Sequence, residues 1–198
     1  MSTLEFWRED FGNDYHMRNN NIVQNNYVMF SKIFYANNDV YPKSIIEFGA
    51  GIGQNIYALK QLFPFARLKA VEINKKACDE LKKIHGLQVS NKEIDYIDSA
   101  HDLVLCKGIL IHIHPDDLNR VYDIIYKAAS QYILICEYYN PTPIEVDYRG
   151  NSGKLWKRDF VGEMLILYDD LKLLDYGFVY KKDEYPQDDL TWFLIEKK

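Results

Sequence analysis

The chain predicts an α/β fold, a mostly parallel sheet with helices on both faces. Three observations carry that prediction. A short apolar strand, Ile45-Ile46-Glu47-Phe48, runs into a glycine-rich turn, Gly49-Ala50-Gly51-Ile52-Gly53, and then into a helical stretch. Strand-like and helix-like segments alternate from there to about residue 137. The last two strand-like runs have no helix between them, which suits a terminal antiparallel hairpin. At 198 residues the chain predicts one domain over 1–198, with a helical lid over 1–40 ahead of an α/β core over 41–198.

Each element follows from its pattern. Residues 3–18 mix aromatic and charged side chains and predict partial helix, with Trp7, Phe11 and Tyr15 on one stripe. The polar break Asn19-Asn20-Asn21 precedes a second helix over 22–36, where Ile22, Tyr27, Phe30, Ile33 and Phe34 share an apolar face. Strands are expected at 44–48, 67–72, 86–90, 102–106 and 131–137, and helices at 54–63, 74–84 and 115–129. Pro115-Asp116-Asp117 suits a helix start, because proline is tolerated in the first turn and acids sit well at the positive end of the dipole. Residues 138–155 hold two prolines and two glycines and predict a long ordered loop. A helix over 157–168 and strands over 173–181 and 190–196 complete the chain.

Composition narrows the function classes. Hydrophobic content of 47% fits a globular protein, and a net charge of −5 argues against a broad nucleic-acid footprint. Cys78, Cys106 and Cys136 form no C-x-x-C pair, and the last two lie in apolar runs, so buried thiols in a reducing, cytoplasmic setting are expected. No basic segment followed by an apolar stretch opens the chain, and no run approaches the ~20 apolar residues of a membrane span.

In open α/β sheets the ligand lies beyond the carboxyl ends of the strands, at the switch point of strand order. The turn there is not a dinucleotide fingerprint: G-x-G-x-x-G needs glycine at 54, where Gln54 stands, and the third glycine falls at Gly53. Glu47, two residues before the first glycine, suits a cationic methionyl group better than a pyrophosphate. Glu72, at the end of the second strand and 21 positions after Gly51, is placed to accept from ribose hydroxyls. An adenosyl cofactor is therefore expected on Glu47, Gly49, Ala50, Gly51, Gly53, Asn55, Glu72 and Ile73, with residues around Ser90 to Ile94, Asn91 among them, bordering the adenine and Lys107 at the fourth strand end. The pattern resembles motif I of the class I S-adenosylmethionine (SAM) methyltransferases.

His112 and His114 follow the fourth strand. A neutral histidine can take a proton from an acceptor hydroxyl or ammonium; the alternative is a backbone or helix-capping role. No further His, Cys or acid stands at ligand spacing, so no metal is expected. The loop after the fifth strand begins Glu137-Tyr138-Tyr139 and carries Tyr148, Arg149, Lys154, Lys157 and Arg158. Four cations within ten residues of an acidic protein suggest an anionic acceptor, with Arg149 the best fork for it. The other reading is a solvated helix start paired with Asp147 and Asp159.

The later motifs resemble the pseudaminic acid biosynthesis-associated methylases over nearly the whole chain. They are Phe6-Trp7-Arg8 with Phe11-Gly12-Asn13-Asp14-Tyr15 and Arg18-Asn19, then Lys107-Gly108-Ile109-Leu110-Ile111-His112-Ile113 with Pro115. Glu137-Tyr138-Tyr139-Asn140-Pro141, Tyr148-Arg149-Gly150 with Ser152-Gly153-Lys154-Leu155, and Lys157-Arg158-Asp159-Phe160 follow. Asp175-Tyr176-Gly177-Phe178 and Pro186-Gln187-Asp188-Asp189-Leu190-Thr191-Trp192-Phe193 close the set. Cys106 departs from the small or hydroxylated residue expected there.

The resemblance implies a Rossmann-like class I methyltransferase fold with seven strands in the order 3-2-1-4-5-7-6. It implies SAM as cofactor, S-adenosylhomocysteine as product, and a lid that brings Tyr15 and Arg18 to the methionyl end or acceptor. The acceptor implied is a small polar, anionic precursor of a bacterial surface glycan (capsule, flagellar or nonulosonic acid), held by Glu137, Tyr138, Tyr148, Arg149 and Lys154. His112, His114 and Tyr139 are the candidate catalytic groups. A phosphate, phosphoramidate or carboxylate acceptor would shift weight from His112 to Arg149 and Lys154. A monomer or homodimer without nucleic-acid or membrane partners is expected. A nicotinamide oxidoreductase is disfavoured by Gln54 and by the lack of Tyr-x-x-x-Lys after the fourth strand, and nucleic-acid methylation by the charge. A SAM-binding partner without turnover is the remaining alternative.

Overall fold

A computed structural model describes residues 3–9, 11–13, 22–95 and 99–198; Tyr15 and Arg18 lie outside the described residues. The strands are β1 Ser44–Phe48, β2 Arg67–Glu72, β3 Leu87–Asn91, β4 His101–Lys107, β5 Ala129–Glu137, β6 Ile144–Glu145, β7 Trp156–Lys157, β8 Leu171–Val179 and β9 Leu190–Lys197. The helices are α1 Thr3–Arg8, α2 Val23–Ala36, α3 Gln54–Leu62, α4 Lys75–Leu81, α5 Leu118–Ala128 and α6 Phe160–Leu167.

Seven strands form one sheet in the order β3-β2-β1-β4-β5-β9-β8. The first five run parallel, and β9 is antiparallel to both β5 and β8. β1 is buried along its whole length, as a central parallel strand covered on both faces must be. Alternate residues feed two cores. Ile46, Phe48, Val104 and Ile135 pack with Tyr122 and Met164 on the α5 and α6 side. Ile45, Leu105 and Leu134 pack with Phe30 and Leu59 on the α2 and α3 side. All three cysteines are free and buried.

The order differs in detail from the expected 3-2-1-4-5-7-6, because the loop after β5 is not irregular throughout. It closes on itself as a separate β6–β7 ribbon, so the sheet's last two strands are the eighth and ninth of the chain. At the tip, Tyr148 and Asn151 exchange two backbone hydrogen bonds, N–H to O, of 2.9 and 3.0 Å. The two residues between them, Arg149 (φ 50°) and Gly150 (φ 79°), both take positive φ, as two-residue hairpin loops favour. Two-residue strands leave no alternation for a sequence to display. Pro115–Asp117 likewise forms a 3-10 turn ahead of α5 instead of its first turn.

Candidate active site

The carboxyl ends of β1, β2 and β4 open into one cavity. Its walls are the glycine turn (Gly49–Ile52), Gln54 and Asn55 at the start of α3, Glu72-Ile73, Lys92–Ile94, Lys107–Ile109 and His112–His114. Trp7, Ile22 and Asn26 reach it from the N-terminal helices. The cavity sits where strand order reverses, between β1 and its neighbours β2 and β4.

Conformation favours glycine at Gly49 and Gly53, and a Cβ at either would press on a side-chain end that must shift. A Cβ on Gly49 (φ +70°) would lie 2.3 Å from Cδ1 of Ile109, and one on Gly53 (φ +88°) would lie 2.6 Å from Cδ1 of Ile84. The turn is pinned to β2 by hydrogen bonds from the Gly49 and Ala50 N–H groups to the Val71 carbonyl. Glu72 pins it a second time. Its Oε2 accepts from Gly51 N at 2.8 Å and its Oε1 from Asn74 N at 2.7 Å. Burial pushes this carboxyl above the ordinary range, while the backbone N–H groups pull it back. Each oxygen keeps a lone pair for a further donor. Asn91, expected at the adenine, is exposed and outside the cavity lining; its Nδ2 donates to the carbonyls of Glu72 (2.9 Å) and Ile73 (3.0 Å). The wall there is Lys92, Glu93 and Ile94.

Two buried carboxyls flank Lys107 at the strand ends. Glu47 on β1 accepts from Asn55 Nδ2 at 2.6 Å through Oε1. Its Oε2 and the Asn55 Oδ1 are buried without a hydrogen-bond partner among the described residues. Glu137 on β5 accepts from the N–H groups of Ile109 (2.9 Å) and Leu110 (2.8 Å), and its Oε2 is also unpartnered. Glu137, expected to meet the acceptor, therefore holds the loop after β4 in place and is not among the cavity-lining residues. The reason is registry: β5 neighbours β4, so the loop leaving β4 turns directly over this carboxylate. Burial raises both carboxyls to about 8 and pulls the Lys107 ammonium down, against the pull of Cys136, Glu47 and Glu137.

These shifts set a pH dependence. Folded Glu47 and Glu137 hold protons that the unfolded chain has released, from the ordinary carboxyl range near 4.5 up to about 8. Their contribution to stability is thus full at low pH and lost as pH rises to 8. The thermal midpoint of the free protein is expected to be higher at pH 6.5 than at pH 8. Glu137→Gln keeps a carbonyl for Ile109 and Leu110 and should flatten that slope; melts at both pH values check it, and a steeper slope in the variant would contradict it.

His112 is buried at 8% exposure, and its Nδ1 lies 2.7 Å from the Lys154 carbonyl. A carbonyl only accepts, so Nδ1 carries the proton and Nε2 keeps its lone pair. Burial pushes this imidazole down to about 4. The rings of Trp7 and Tyr148 lie 4.4 and 5.0 Å from it, centroid to centroid. Tyr148 also packs on Phe11 at 5.7 Å, so the ribbon tip closes against the N-terminal segment.

The other candidates are placed differently. His114 is exposed at the cavity rim, where Nδ1 accepts from Asp116 N at 3.3 Å and caps the 3-10 turn. Tyr139 is exposed beside Phe193 and away from the cavity lining. Tyr138 donates to Asp188 Oδ2 at 3.4 Å and also lies outside the lining. Arg149 sits exposed at the ribbon tip, its guanidinium 5.8 Å from the Tyr148 ring centroid, and does not line the cavity. Lys154 meets the site through its carbonyl on His112, while its Nζ lies 5.5 Å from the Phe6 ring centroid. Trp7 and Asn26 line the cavity although neither stands among the expected site residues: the pattern marks Trp7 as part of a packing stripe, and Asn26 interrupts the apolar face between Ile22 and Phe30. That lone polar position was the available signal.

No protein-family model matches the chain, and no curated protein matches it either. Solved structures do. The Burkholderia thailandensis 1,6-didemethyltoxoflavin-N1-methyltransferase, with bound 1,6-didemethyltoxoflavin and S-adenosylhomocysteine, superposes with a TM-score of 0.71 at 16% identity, covering 96% of this chain and 87% of that one. The chain has the class I methyltransferase fold. The plantazolicin methyltransferase BpumL, in complex with S-adenosylhomocysteine, gives 0.68 at 12% identity over 100% of this chain and 94% of that one. The magnesium protoporphyrin IX methyltransferase of Synechocystis PCC 6803, with bound SAM, gives 0.67 at 13% identity over 100% and 98%. Within this fold the chain's cavity lies at the carboxyl edge of the sheet. Among the described residues no helix is long and apolar enough to cross a membrane, and no three His, Cys, Asp or Glu residues come together as a metal site.

Proposed function

We propose that the protein transfers a methyl group from SAM to an oxygen or nitrogen of a small polar precursor in bacterial surface-glycan biosynthesis, in the cytoplasm. The observation that carries this reading is the pairing of the glycine turn with Glu72 along one wall of the cavity. The residues fit the cofactor. Glu72 and Gly51 would hold the ribose, and Ile73 and Ile94 the adenine. Asn55 in the wall and Glu47, outside the lining but bonded to Asn55, each keep one oxygen without a partner among the described residues, which suits a cationic amino-acid tail. Bound SAM supplies an electrophilic methyl group on a sulfonium.

The chain's own groups position the acceptor and handle its proton. His112, with Nδ1–H held by Lys154, is ready to accept a hydroxyl or ammonium proton at Nε2 and pass it to solvent. A hydroxyl under methylation becomes strongly acidic, so a base near pH 4 suffices late in the reaction. Trp7 and the Tyr148 ribbon would exclude water. The place of His112 in the cavity wall, with Arg149 outside it, favours a hydroxyl or amine acceptor over a preformed oxyanion.

Calorimetric titration with S-adenosylhomocysteine, against NAD as control, tests the cofactor. Micromolar binding of the first and none of the second is expected; the reverse would replace this reading with an oxidoreductase. Because His112 titrates near 4, kcat should show no loss on its account between pH 8 and 5 and should fall only below that. A kcat that falls with an apparent pKa near 6.5 would place the imidazole in water.

A further inference from the structure

Asn26 lies on α2, wholly buried, in the cavity wall. Its Oδ1 accepts a hydrogen bond of 3.0 Å from Nε2 of Gln187, itself only 7% exposed. That bond orients the amide. The Asn26 Nδ2 is then left buried with no hydrogen-bond partner among the described residues. A buried donor without a partner, on a residue of a cavity wall and with its amide fixed by a second bond, marks a place for a ligand acceptor, because desolvating it unpaired is costly. Gln187 comes from the loop between β8 and β9, and the same loop is tied to α2 again by Asn25 Nδ2 donating to the Pro186 carbonyl at 3.0 Å. The Pro186-Gln187 pair, far along the chain from the glycine turn, thus clamps the helix that carries Asn26.

We propose that Asn26 Nδ2 is a binding contact for the carboxylate of the cofactor's amino-acid tail, and that Gln187 is its positioning residue. The inference rests on the cofactor reading above. The neighbours set the polarity. Gln54 and Asn55 line the same cavity at the start of α3, and the Asn55 amide donates to Glu47, a carboxyl outside the lining that a bound ammonium would favour in its ionised form. Asn26 offers the complementary donor. A carboxylate oxygen and an ammonium would thereby be read by separate groups, while Val71, Ile73 and Ile94 supply apolar wall to the same cavity.

The test compares two probes by calorimetry: S-adenosylhomocysteine, which has the amino-acid tail, and 5′-methylthioadenosine, which lacks it. Asn26→Asp replaces the donor by an acceptor of the same size. It should weaken S-adenosylhomocysteine binding at least tenfold and change methylthioadenosine binding less than twofold. Gln187→Glu can only accept through its new carboxylate, which turns the Asn26 amide around, so it should show the same selective loss without lining the cavity. Methylthioadenosine affinity reports that each variant is folded. Unchanged or tighter binding of S-adenosylhomocysteine to Asn26→Asp, with the wild type binding normally, overturns this inference and leaves the cofactor reading standing. An equal loss of both probes assigns the pair a purely structural role and also overturns it. Failure of the wild type to bind S-adenosylhomocysteine removes the cofactor reading, and this inference with it.

Discussion

Glu72→Ala is expected to abolish measurable cofactor binding and to lower the thermal midpoint together. The carboxylate accepts from Gly51 N and Asn74 N, so its loss strands two N–H donors as well as removing the acceptor proposed for the ribose. Two stranded donors, one buried and one partly buried, at about 1–3 kcal/mol each put the stability cost near 4 kcal/mol. For a domain of this size that is roughly 8–16 °C in the midpoint. The Gly51 turn would also lose its tether, so S-adenosylhomocysteine affinity should drop by at least two orders of magnitude. Glu72→Gln should fall between the two, because one amide oxygen can serve only one of the two donors cleanly. Calorimetry and thermal melts on both variants check this. An unchanged midpoint in Glu72→Ala would show that the carboxylate does not brace the turn, and an unchanged affinity would show that the ribose is held elsewhere.

The second large effect separates His112 from Arg149. Removing a positioned proton acceptor costs about 10²–10⁴ in rate. His112→Ala should therefore lower kcat at least a hundredfold, with S-adenosylhomocysteine affinity within about threefold of wild type. Arg149→Ala should leave kcat within twofold, because its side chain is exposed at the ribbon tip and outside the cavity wall. Arg149→Gly should also raise the midpoint slightly, since Arg149 holds φ 50° where glycine carries no Cβ penalty. The readout is S-adenosylhomocysteine release with the first acceptor that supports turnover. A large loss in Arg149→Ala with little in His112→Ala would mean that the acceptor is an anion held by the loop cations, and that the ribbon closes further over the cavity when it binds.

Much of the fold was legible because it depends on local pattern. Apolar runs mark the parallel strands, and the glycine turn with Glu72 marks one wall of the cavity, since a βαβ unit brings adjacent strand ends together whatever follows. The acceptor side was less legible. Arg149, Lys154, Tyr138 and Tyr139 share one charged, aromatic stretch, and composition alone cannot say which of them faces inward. The ribbon turns Tyr148 and the Lys154 carbonyl toward His112 and carries Arg149 outward. Glu137 looked like an acceptor contact because it opens that loop, yet its neighbour β4 supplies the N–H groups that occupy it.

The sequence by itself determined the parallel strands, the glycine turn and the strand-end acid Glu72, all of which follow from local pattern and near-neighbour spacing. Only the tertiary structure decided the state of His112 and the orientation of Asn26. Each depends on one hydrogen bond with a distant segment, His112 Nδ1–H to the Lys154 carbonyl and Gln187 Nε2 to Asn26 Oδ1. Contacts of that range arise from how loops close over the sheet, and no periodicity in the chain encodes them.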